Sequence, residues 1–595
     1  MTFTPAPAPT TRPDLQGSFG MAASTHWSAT GSAQSVLERG GNAFDAACAA
    51  AFVLHVVEPH LNGPGGDLVG LFATADAPGR PQVLRGQGPA PAAATIAHYR
   101  DTECLDLVPG SGALAAAVPA AVDAWLVLLR DHGTWTVRDV LTYAVGYARD
   151  GHPVLPAVAA TIGRVADLFT EHWPTSAARW MPHGRPPRPG ETVTNPAYAA
   201  VLDRLGDAAD AAPSRAAGVE AARAAWREIV GPAVEEFVAT PHRHSDGRDH
   251  AGVLTAADLA GTGAGFEEPA TVSFRGRTVV KPGAWTQGPV LLQSLRLLDG
   301  FEDDRLDVAT ELGAHTVLET LKLALADRDV WYGDTDVPLD HLLSTEYAAQ
   351  RRDLIGDRAS HELRPGSVPG RTTPPLPPLR TTGAASSGTG EPTVQVNGTT
   401  RGDTCHVDVV DRWGNMVSVT PSGGWLQSSP EIPALGFCLG TRLQMTWLDE
   451  TSPSRLAPGV RPRTTLSPTL VLDGGRPVMA CGTPGGDQQD QWQLPFLLRT
   501  LVGGYTPQQA IDAPTLHTTS MVDSFWPRTW TPGGAVVESR LGTEVIDALA
   551  RRGHVLTEAG PWSLGRLSAV TRDPATGRLG AAANPRGAQG YAAGR

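Results

Sequence analysis

The stretch from Asp403 to Thr420, DTCHVDVVDRWGNMVSVT, carries the clearest structural pattern in the chain. From Thr404 onward, polar and apolar residues alternate with the period of a β-strand. The two faces are Cys405, Val407 and Val409 on one side and Thr404, His406 and Asp408 on the other. Residues 412–415 are typical of a tight turn, and residues 416–420 can return as the partner strand. The pattern predicts a β-hairpin with one polar face, and by itself it indicates nothing beyond an ordinary hairpin.

The segment just before this hairpin, Arg364 to Asp403, differs in composition from the rest of the chain. It is rich in Pro, Gly, Ser and Thr and has few apolar residues, which is typical of an extended, solvated linker. Structureless connections of this length are unusual inside compact proteins and are commonly functional or cleaved. The polar strand start at Thr404 is therefore predicted to follow directly on a segment that can be cut.

On the N-terminal side, helix and strand signals follow one another in mixed order. Residues 1–17 form a Pro/Ala/Thr-rich segment that is typical of a flexible arm. Ser32 can cap a short helix that ends at Gly40–Gly41, and Asn42 can cap a second helix. Further helical patterns cover Pro119–Arg149, Ala200–Val238 and Ala314–Gly333, and a strand pattern covers Ala270–Pro282. The mixed order predicts an α/β or α+β protein with layered packing.

The overall composition is that of an enzyme-sized globular protein. Of 595 residues, 41% are hydrophobic and only 18% are charged, which excludes an intrinsically disordered chain. The net charge is −13 and no basic cluster is long enough to follow a phosphate backbone, so no nucleic-acid partner is expected. The sequence contains no obvious membrane span and no secretory signal pattern, so we expect a cytoplasmic protein without a membrane partner.

The sequence predicts neither a metal nor a cofactor. The loop from His242 to His250 offers nitrogen and oxygen ligands, but it is rich in Gly and Asp and does not indicate tetrahedral geometry. Neither GxGxxG with a following acidic residue nor GxxxxGK[ST] occurs, so a nucleotide cofactor is not expected. The cysteines are widely spaced, odd in number and without a CxxC pair, which indicates no disulfide framework or thiolate zinc site: Cys48, Cys104, Cys405, Cys438 and Cys481.

Several motifs, in the same order and spacing, resemble the gamma-glutamyltranspeptidase family. Besides the hairpin they are LERGGNAFDAA (Leu37–Ala47), RPRTTLSPTLVL (Arg461–Leu472), GTPGGD (Gly482–Asp487), AIDAPTLH (Ala510–His517) and NPRG (Asn584–Gly587). The resemblance implies a four-layer αββα sandwich of the N-terminal-nucleophile hydrolase type. It also implies two interleaved subunits from one precursor, a large one of residues 18–403 that includes the linker 364–403 and a small one of residues 404–595.

The resemblance further implies that the precursor cleaves itself between Asp403 and Thr404. A threonine hydroxyl is a poor nucleophile without a base, and a freed α-amino group with a pKa of about 7.7–8.0 can serve as that base on the same residue. By the family pattern, Ser422 orients the Thr404 hydroxyl. Gly485 and Gly486 match the glycines whose backbone N–H groups stabilise the oxyanion.

The positions that match the family's substrate-binding residues differ from the family pattern. Gln87 stands where glutamyl-specific members have an arginine, while Arg85 is out of register by two residues. Gln444 replaces the aspartate that binds the α-ammonium group, with Asp449 and Glu450 further along the chain. An asparagine is replaced by Gly424, and the hydroxyl pair remains as Thr464 and Thr465. Because Gln cannot supply charge to a carboxylate, we expect altered substrate specificity.

Three functions remain open at this point. The first is a self-processing hydrolase or acyltransferase that acts on a small-molecule acyl substrate such as a γ-glutamyl-like amide, with water or an amine as acceptor. The second is a family scaffold repurposed in secondary-metabolite or antibiotic biosynthesis, where the same threonine hydrolyses a non-amide bond such as C–C. The third is an uncleaved protein without catalytic activity.

Overall fold

The computed structural model describes residues 3–381 and 404–595, and within these ranges two antiparallel seven-stranded sheets form the centre of the fold. Their strands are Leu15–Gly17 (β1), Gly20–Ser24 (β2), Asp67–Ala73 (β3), Gln82–Gly86 (β4), Gly265–Glu267 (β5), Ala270–Phe274 (β6), Arg277–Lys281 (β7), Val407–Asp411 (β8), Met416–Ser422 (β9), Thr469–Asp473 (β10), Arg476–Gly482 (β11), Ser568–Arg572 (β12), Leu579–Ala583 (β13) and Tyr591–Gly594 (β14). The first sheet has the order β1-β13-β12-β11-β10-β7-β6 and the second β14-β2-β8-β9-β3-β4-β5. Both sheets therefore combine strands from before and after the predicted cleavage site.

Helices cover the outer faces of both sheets. They are Trp27–Glu38 (α1), Ala43–Val57 (α2), Ala121–His132 (α3), Val137–Asp150 (α4), Pro156–Arg164 (α5), Ala166–Glu171 (α6), Pro174–Trp180 (α7), Pro196–Asp210 (α8), Arg215–Val238 (α9), Ala256–Ala260 (α10), Pro289–Leu298 (α11), Glu311–Trp331 (α12), Leu339–Leu342 (α13), Thr345–Arg352 (α14), Gln489–Leu501 (α15), Pro507–Asp512 (α16) and Thr543–Arg551 (α17). A three-stranded sheet of Leu516–Thr518, Gly534–Glu538 and Val555–Ala559 also packs on this framework. Two short two-stranded sheets pair His152–Pro153 with Thr192–Val193 and His242–Arg243 with Asp249–His250.

Three apolar cores separate four layers. Between the sheets, side chains such as Val69 and Leu71 of β3 pack with Val280, Leu470 and Ala480 of the facing sheet. A second core joins the outer face of the β8–β9 sheet to α1–α4, α8 and α9, and a third joins the other sheet to α11, α12 and α15. Alternate residues of each strand serve different cores, as the two-residue period requires. The predicted four-layer αββα sandwich is confirmed.

The β-hairpin predicted over residues 404–420 is present at the predicted place. Strand β8 pairs antiparallel with β9, with Val407 opposite Val419 and Val410 opposite Met416. Its apolar face, which includes Cys405, packs toward the helices. Its polar face points toward the other sheet and is buried as well. A pair of central strands is covered on both sides, so the alternation marks two buried environments of different polarity.

Several boundaries differ from the prediction. The first helix begins at Trp27 because the His26 imidazole, and not Ser32, caps it by accepting the Ser28 N–H. The capping box predicted at Asn42 is present. Each of the two long helical patterns is interrupted, which gives α3 and α4 in one case and α8 and α9 in the other, with fresh caps at Thr136 and Ser214.

The two segments predicted to be flexible are fixed where the structure describes them. In the N-terminal arm, Thr4 and Thr11 donate to Asp307 and Asp512, and residues 15–17 form the edge strand β1. Residues 364–381 of the linker lack helix and strand, but Gly366 donates to the carboxylate of Asp327 at 2.6 Å. Composition alone missed these anchors because each depends on partners far away in sequence. Residues 382–403, with Asp403, lie outside the described residues.

Candidate active site

Thr404 lies three residues before the first residue of the central strand β8. Its backbone forms an isolated antiparallel bridge with Ser422 at the end of β9, and the neighbouring Cys405 N–H donates to the Pro421 carbonyl oxygen at 2.9 Å. This register places Thr404 Oγ1 3.1 Å from Ser422 Oγ, within hydrogen-bonding distance, and both side chains are buried. The structure thus brings together the predicted nucleophile and the predicted orienting hydroxyl.

A buried polar network supports the strand that begins at Thr404. The Nε2 of His406 lies 2.9 Å from an Asp408 carboxylate oxygen, and its Nδ1 lies 2.9 Å from the Thr420 hydroxyl. Asp408 also accepts a hydrogen bond at 2.7 Å from Ser568 on the facing sheet. Because these bonds join β8 to a neighbouring strand and to the facing sheet, the network holds the start of β8 in place. In the sequence, its signal is only the polar face of the alternating strand.

Gly485 and Gly486, the predicted oxyanion residues, follow the end of β11. Their φ angles are +136° and +54°, a region that favours glycine. A Cβ at Gly482, the last residue of β11, would overlap the His406 imidazole, so the turn starts beside the strand that follows Thr404. After one short 3-10 turn, α15 begins at Gln489. The glycine turn and Thr404 therefore lie at the same end of the stacked sheets.

Replacing Gly485 with alanine is expected to destabilise the protein by about 1–3 kcal/mol, because of the positive φ and because the new methyl group would overlap the Trp492 ring. Urea denaturation measures the loss. Gly475→Ala is the matched control, since Gly475 has a φ of +76° and no atom lies within 4 Å of where its Cβ would be. Equal losses in the two variants would mean that the Trp492 contact places no constraint on the turn.

Asp487, directly after the glycine turn, is a buried carboxylate that the sequence pattern did not single out. The Arg328 guanidinium of α12 forms an ion pair with it, and Ser524 donates to it through its backbone N–H at 2.8 Å and its hydroxyl at 2.6 Å. Burial opposes ionisation, but the charges of Arg328 and Arg463 prevail and hold the pKa of Asp487 below its usual range. This charged network attaches the glycine turn to the helical layer.

Gln87 and the threonine pair predicted to bind substrate are neighbours in the structure. Gln87 Nε2 donates to the carbonyl oxygen of Pro462, two residues before Thr464. Thr464 is fixed by a backbone bridge to Thr286. The Oε1 of Gln87 and the Oγ1 of Thr465 are both buried without a hydrogen-bond partner. Buried polar groups are normally paired, so both atoms have unused hydrogen-bonding capacity.

Gln444 is placed near the same region but is engaged within the protein. Its Oε1 accepts the Trp526 N–H at 3.1 Å, and its Nε2 donates to the Thr441 hydroxyl at 2.8 Å. The turn that carries it is held by Arg442, which donates twice to Asp67 at 2.7 Å. This ion pair is a positioning feature that the sequence pattern did not reveal. The side-chain amide of Gln444 has no charge to offer an ammonium group.

Gly424, the remaining predicted substrate-binding position, follows Ser422 by two residues. Its φ is +67°, and a Cβ there would lie 2.9 Å from the backbone nitrogen of Gly66. This close approach of two backbones leaves no space for the asparagine side chain that the family pattern has at this position. The substitution is therefore explained by packing.

The charged residues close in sequence to the altered positions do not restore the family's clamp. Arg85 lies 3.7 Å from the carboxylate of Glu267 and donates to the Gly263 carbonyl oxygen at 3.4 Å. Asp449 and Glu450 are exposed, and Asp449 accepts the Thr451 N–H at 2.9 Å.

The clusters with potential metal ligands are satisfied by protein groups. In the predicted loop, the His250 imidazole lies between Glu103 at 2.6 Å and Asp246 at 3.0 Å. A second cluster, which consists of His315, Glu319 and His554, has ligand atoms within 4.8 Å of one another. There the Lys322 ammonium group donates to Glu319 at 2.7 Å and contacts His554 at 3.5 Å. A lysine already supplies the positive charge that a metal ion would bring.

Two stacked antiparallel sheets between two helical layers, with Thr404 at the start of a central strand, have the architecture of the N-terminal-nucleophile hydrolases. The gamma-glutamyltranspeptidase family model matches residues 29–594, and the chain belongs to that family. Family members are hydrolases and acyltransferases, which supports an enzyme. No helix within residues 3–381 and 404–595 is both long and apolar enough to span a membrane.

Relatives and solved structures agree with this assignment. The chain is 30% identical to the oxamate amidohydrolase proenzyme of Klebsiella pneumoniae subsp. pneumoniae over 97% of this chain and 98% of that protein. It resembles the solved structure of LmbA2991HD with 55% identity and a TM-score of 0.93 over 98% of this chain and 100% of that one. A cephalosporin acylase from Bacillus halodurans matches with 27% identity and a TM-score of 0.81, over 100% and 99% of the two chains.

Proposed function

We propose that this protein is a self-processing hydrolase that uses Thr404 to cleave an acyl group from a small molecule. The observation that carries the proposal is the 3.1 Å contact between Thr404 Oγ1 and Ser422 Oγ, at a buried strand start beside the glycine turn. The "proenzyme" in the name of the Klebsiella relative supports cleavage into two subunits. The cytoplasmic location and a role in antibiotic biosynthesis stay predictions.

In the proposed processing step, the Thr404 hydroxyl oxygen attacks the carbonyl carbon of Asp403. The C–N bond breaks as an ester forms, and the nitrogen takes up the proton and becomes the free α-amino group of Thr404. Water then hydrolyses the ester, which leaves a carboxylate on Asp403 and restores the hydroxyl. The products are residues 1–403 and 404–595.

In the proposed turnover, the new α-amino group accepts the hydroxyl proton as Thr404 Oγ1 attacks the substrate carbonyl. The backbone N–H groups at Gly485 and Gly486 stabilise the oxyanion of the tetrahedral intermediate. The leaving group departs with a proton, and water or an amine acceptor releases the acyl group from the ester. Ser422 orients Oγ1 throughout.

Intact-mass analysis and N-terminal sequencing of the purified protein test the proposal. We expect a small fragment whose first residue is Thr404 and a large fragment that ends at Asp403. A preparation that stays full-length during prolonged incubation, or that is cut at another bond, would contradict it.

The substrate is expected to lack the α-ammonium group of a γ-glutamyl compound, because neutral Gln444 stands at the ammonium-binding position. Oxamate, which the Klebsiella relative's name gives as its substrate, has no ammonium group either. We expect kcat/KM for γ-glutamyl-4-nitroanilide to be about 10²-fold below that for glutaryl-4-nitroanilide, which differs only in that group. Faster turnover of the γ-glutamyl compound, with or without glycylglycine as acceptor, would overturn the interpretation of Gln444.

A further inference from the structure

Arg463 is a buried cation with an unused hydrogen-bond donor. Its Nη2 donates to the Ser524 hydroxyl at 2.7 Å, while its Nη1 is buried without a partner. Within the described residues, no carboxylate lies within ion-pair distance of it, although Asp329, Asp487 and Asp523 attract it electrostatically. Burial lowers the pKa of Arg463 to about 10, so the guanidinium remains charged at neutral pH. A buried donor without a hydrogen-bond partner is costly, and it indicates that a group from outside the protein completes the site.

The Arg463 guanidinium is connected by hydrogen bonds to the residue that follows the glycine turn. Ser524, which accepts from Arg463, donates in turn to Asp487, the residue that follows the glycine turn. The next residue, Phe525, lies 2.9 Å from where a Cβ of Gly486 would be. The guanidinium is therefore two hydrogen bonds away from the residue that anchors the predicted oxyanion turn.

The backbone of Arg463 lies beside the altered substrate-binding residues. Gln87 donates to Pro462, and Arg463 is followed by the Thr464–Thr465 pair. Gln87 has no charge, and its neighbour Arg85 is directed to Glu267. A positive charge missing at position 87 is thus present on a different segment of the chain, at the residue after the Pro462 that Gln87 contacts.

We propose that Arg463 Nη1 binds a carboxylate on the acyl part of the substrate, with the Thr465 hydroxyl as a second donor. This inference rests on the proposed function, in which Thr404 attacks that same acyl group. The substrate class is an acyl compound with a second, ionised carboxyl group and no ammonium group. A charged donor in a buried site gives strong hydrogen bonds to carboxylates, and arginine is suited to them by geometry.

A purely structural role for Arg463 would give a different pattern of kcat and KM changes when the residue is replaced. If the guanidinium only positioned Ser524 and Asp487, its loss would affect every acyl substrate alike and would act mainly on kcat. If Arg463 binds a substrate carboxylate, its loss instead raises KM for acidic substrates and leaves neutral ones unaffected. The two roles therefore separate in the ratio of kcat/KM values for an acid and its neutral counterpart.

The test compares ω-carboxyacyl-4-nitroanilides with two to five acyl carbons, each beside the unbranched neutral acyl anilide of equal length. The processed wild-type enzyme is expected to prefer the best acid by about 10- to 100-fold in kcat/KM. Arg463→Leu should remove this preference through KM, and Arg463→Lys should retain part of it. The matched control is Arg499→Leu, which removes another buried arginine, hydrogen-bonded to Pro514 far from the glycine turn.

Three readouts keep the outcomes apart. Fragment formation and the melting temperature report processing and folding for every variant. Equilibrium binding of oxamate and glutarate to the processed wild-type enzyme reports carboxylate recognition without turnover. A processed enzyme that neither prefers acids nor binds these anions, or an Arg463→Leu variant with unchanged preference, would overturn the inference. Absence of cleavage at Thr404 would instead overturn the proposed function.

Discussion

Replacing Thr404 with alanine is expected to leave the chain uncleaved and to abolish turnover. Alanine removes the oxygen that lies 3.1 Å from Ser422 Oγ, and without cleavage no α-amino group is released to act as base. Loss of a catalytic nucleophile typically lowers kcat by about 10⁴-fold or more. Denaturing gels with intact-mass analysis follow the processing, and release of 4-nitroaniline from the best anilide substrate follows the turnover.

Two further variants test whether the effect of Thr404→Ala comes from the loss of the nucleophile. Thr404→Ser keeps a hydroxyl and should still process, although more slowly because serine lacks the methyl group that restricts the rotamer. Ser422→Ala should slow processing without blocking it, since Ser422 only orients the attacking oxygen. Cleavage between residues 403 and 404 in the alanine variant would place the nucleophile elsewhere.

Replacing Asp487 with asparagine is expected to lower both stability and catalysis. The substitution leaves the buried Arg328 with less compensating charge, which costs about 3–5 kcal/mol when one partner of a buried pair is removed. It also weakens the attachment of the glycine turn to Ser524, and a misplaced oxyanion donor costs about 10²–10³-fold in kcat. Chemical denaturation and the rate of precursor processing measure the two effects.

Asp490→Asn is the matched control for this change. Asp490 is three residues further along the chain and equally buried, and it forms an ion pair with Lys281 at 2.9 Å. Its loss should destabilise the protein to a similar extent, yet processing should remain closer to the wild-type rate because Asp490 reaches Asp487 only indirectly, through Gln287. Equal slowing in both variants would show that Asp487 acts through general stability alone.

Much of the fold could be predicted from the sequence, and so could the proximity of some candidate site residues, because the signals are local. The hairpin at Thr404 is visible as a two-residue alternation, and the capping box at Asn42 as a short spacing. The four-layer sandwich was implied by the family resemblance that several motifs carry. The resemblance also identified Ser422 as the partner of Thr404, which the structure places at hydrogen-bonding distance.

Other parts of the site depend on residues that are distant in sequence. The ion pair of Arg328 with Asp487 joins two layers of the sandwich, and the Arg442–Asp67 pair joins a loop to β3. No spacing in the chain predicts either pair, since each partner alone resembles an ordinary charged residue. The anchors of the N-terminal arm, at Asp307 and Asp512, were missed for the same reason.

Arg463 shows most clearly what the sequence and the tertiary structure each determine. By itself, the sequence determined the fold, the chemistry predicted for Thr404 and the loss of charge at positions 87 and 444, because these depend on local patterns and matching positions. Only the tertiary structure decided that Arg463, the residue after the Pro462 that Gln87 contacts, has an unused donor connected through Ser524 to the glycine turn. Whether a buried charge is paired depends on all the surrounding elements, and that information exists only after the layers have packed.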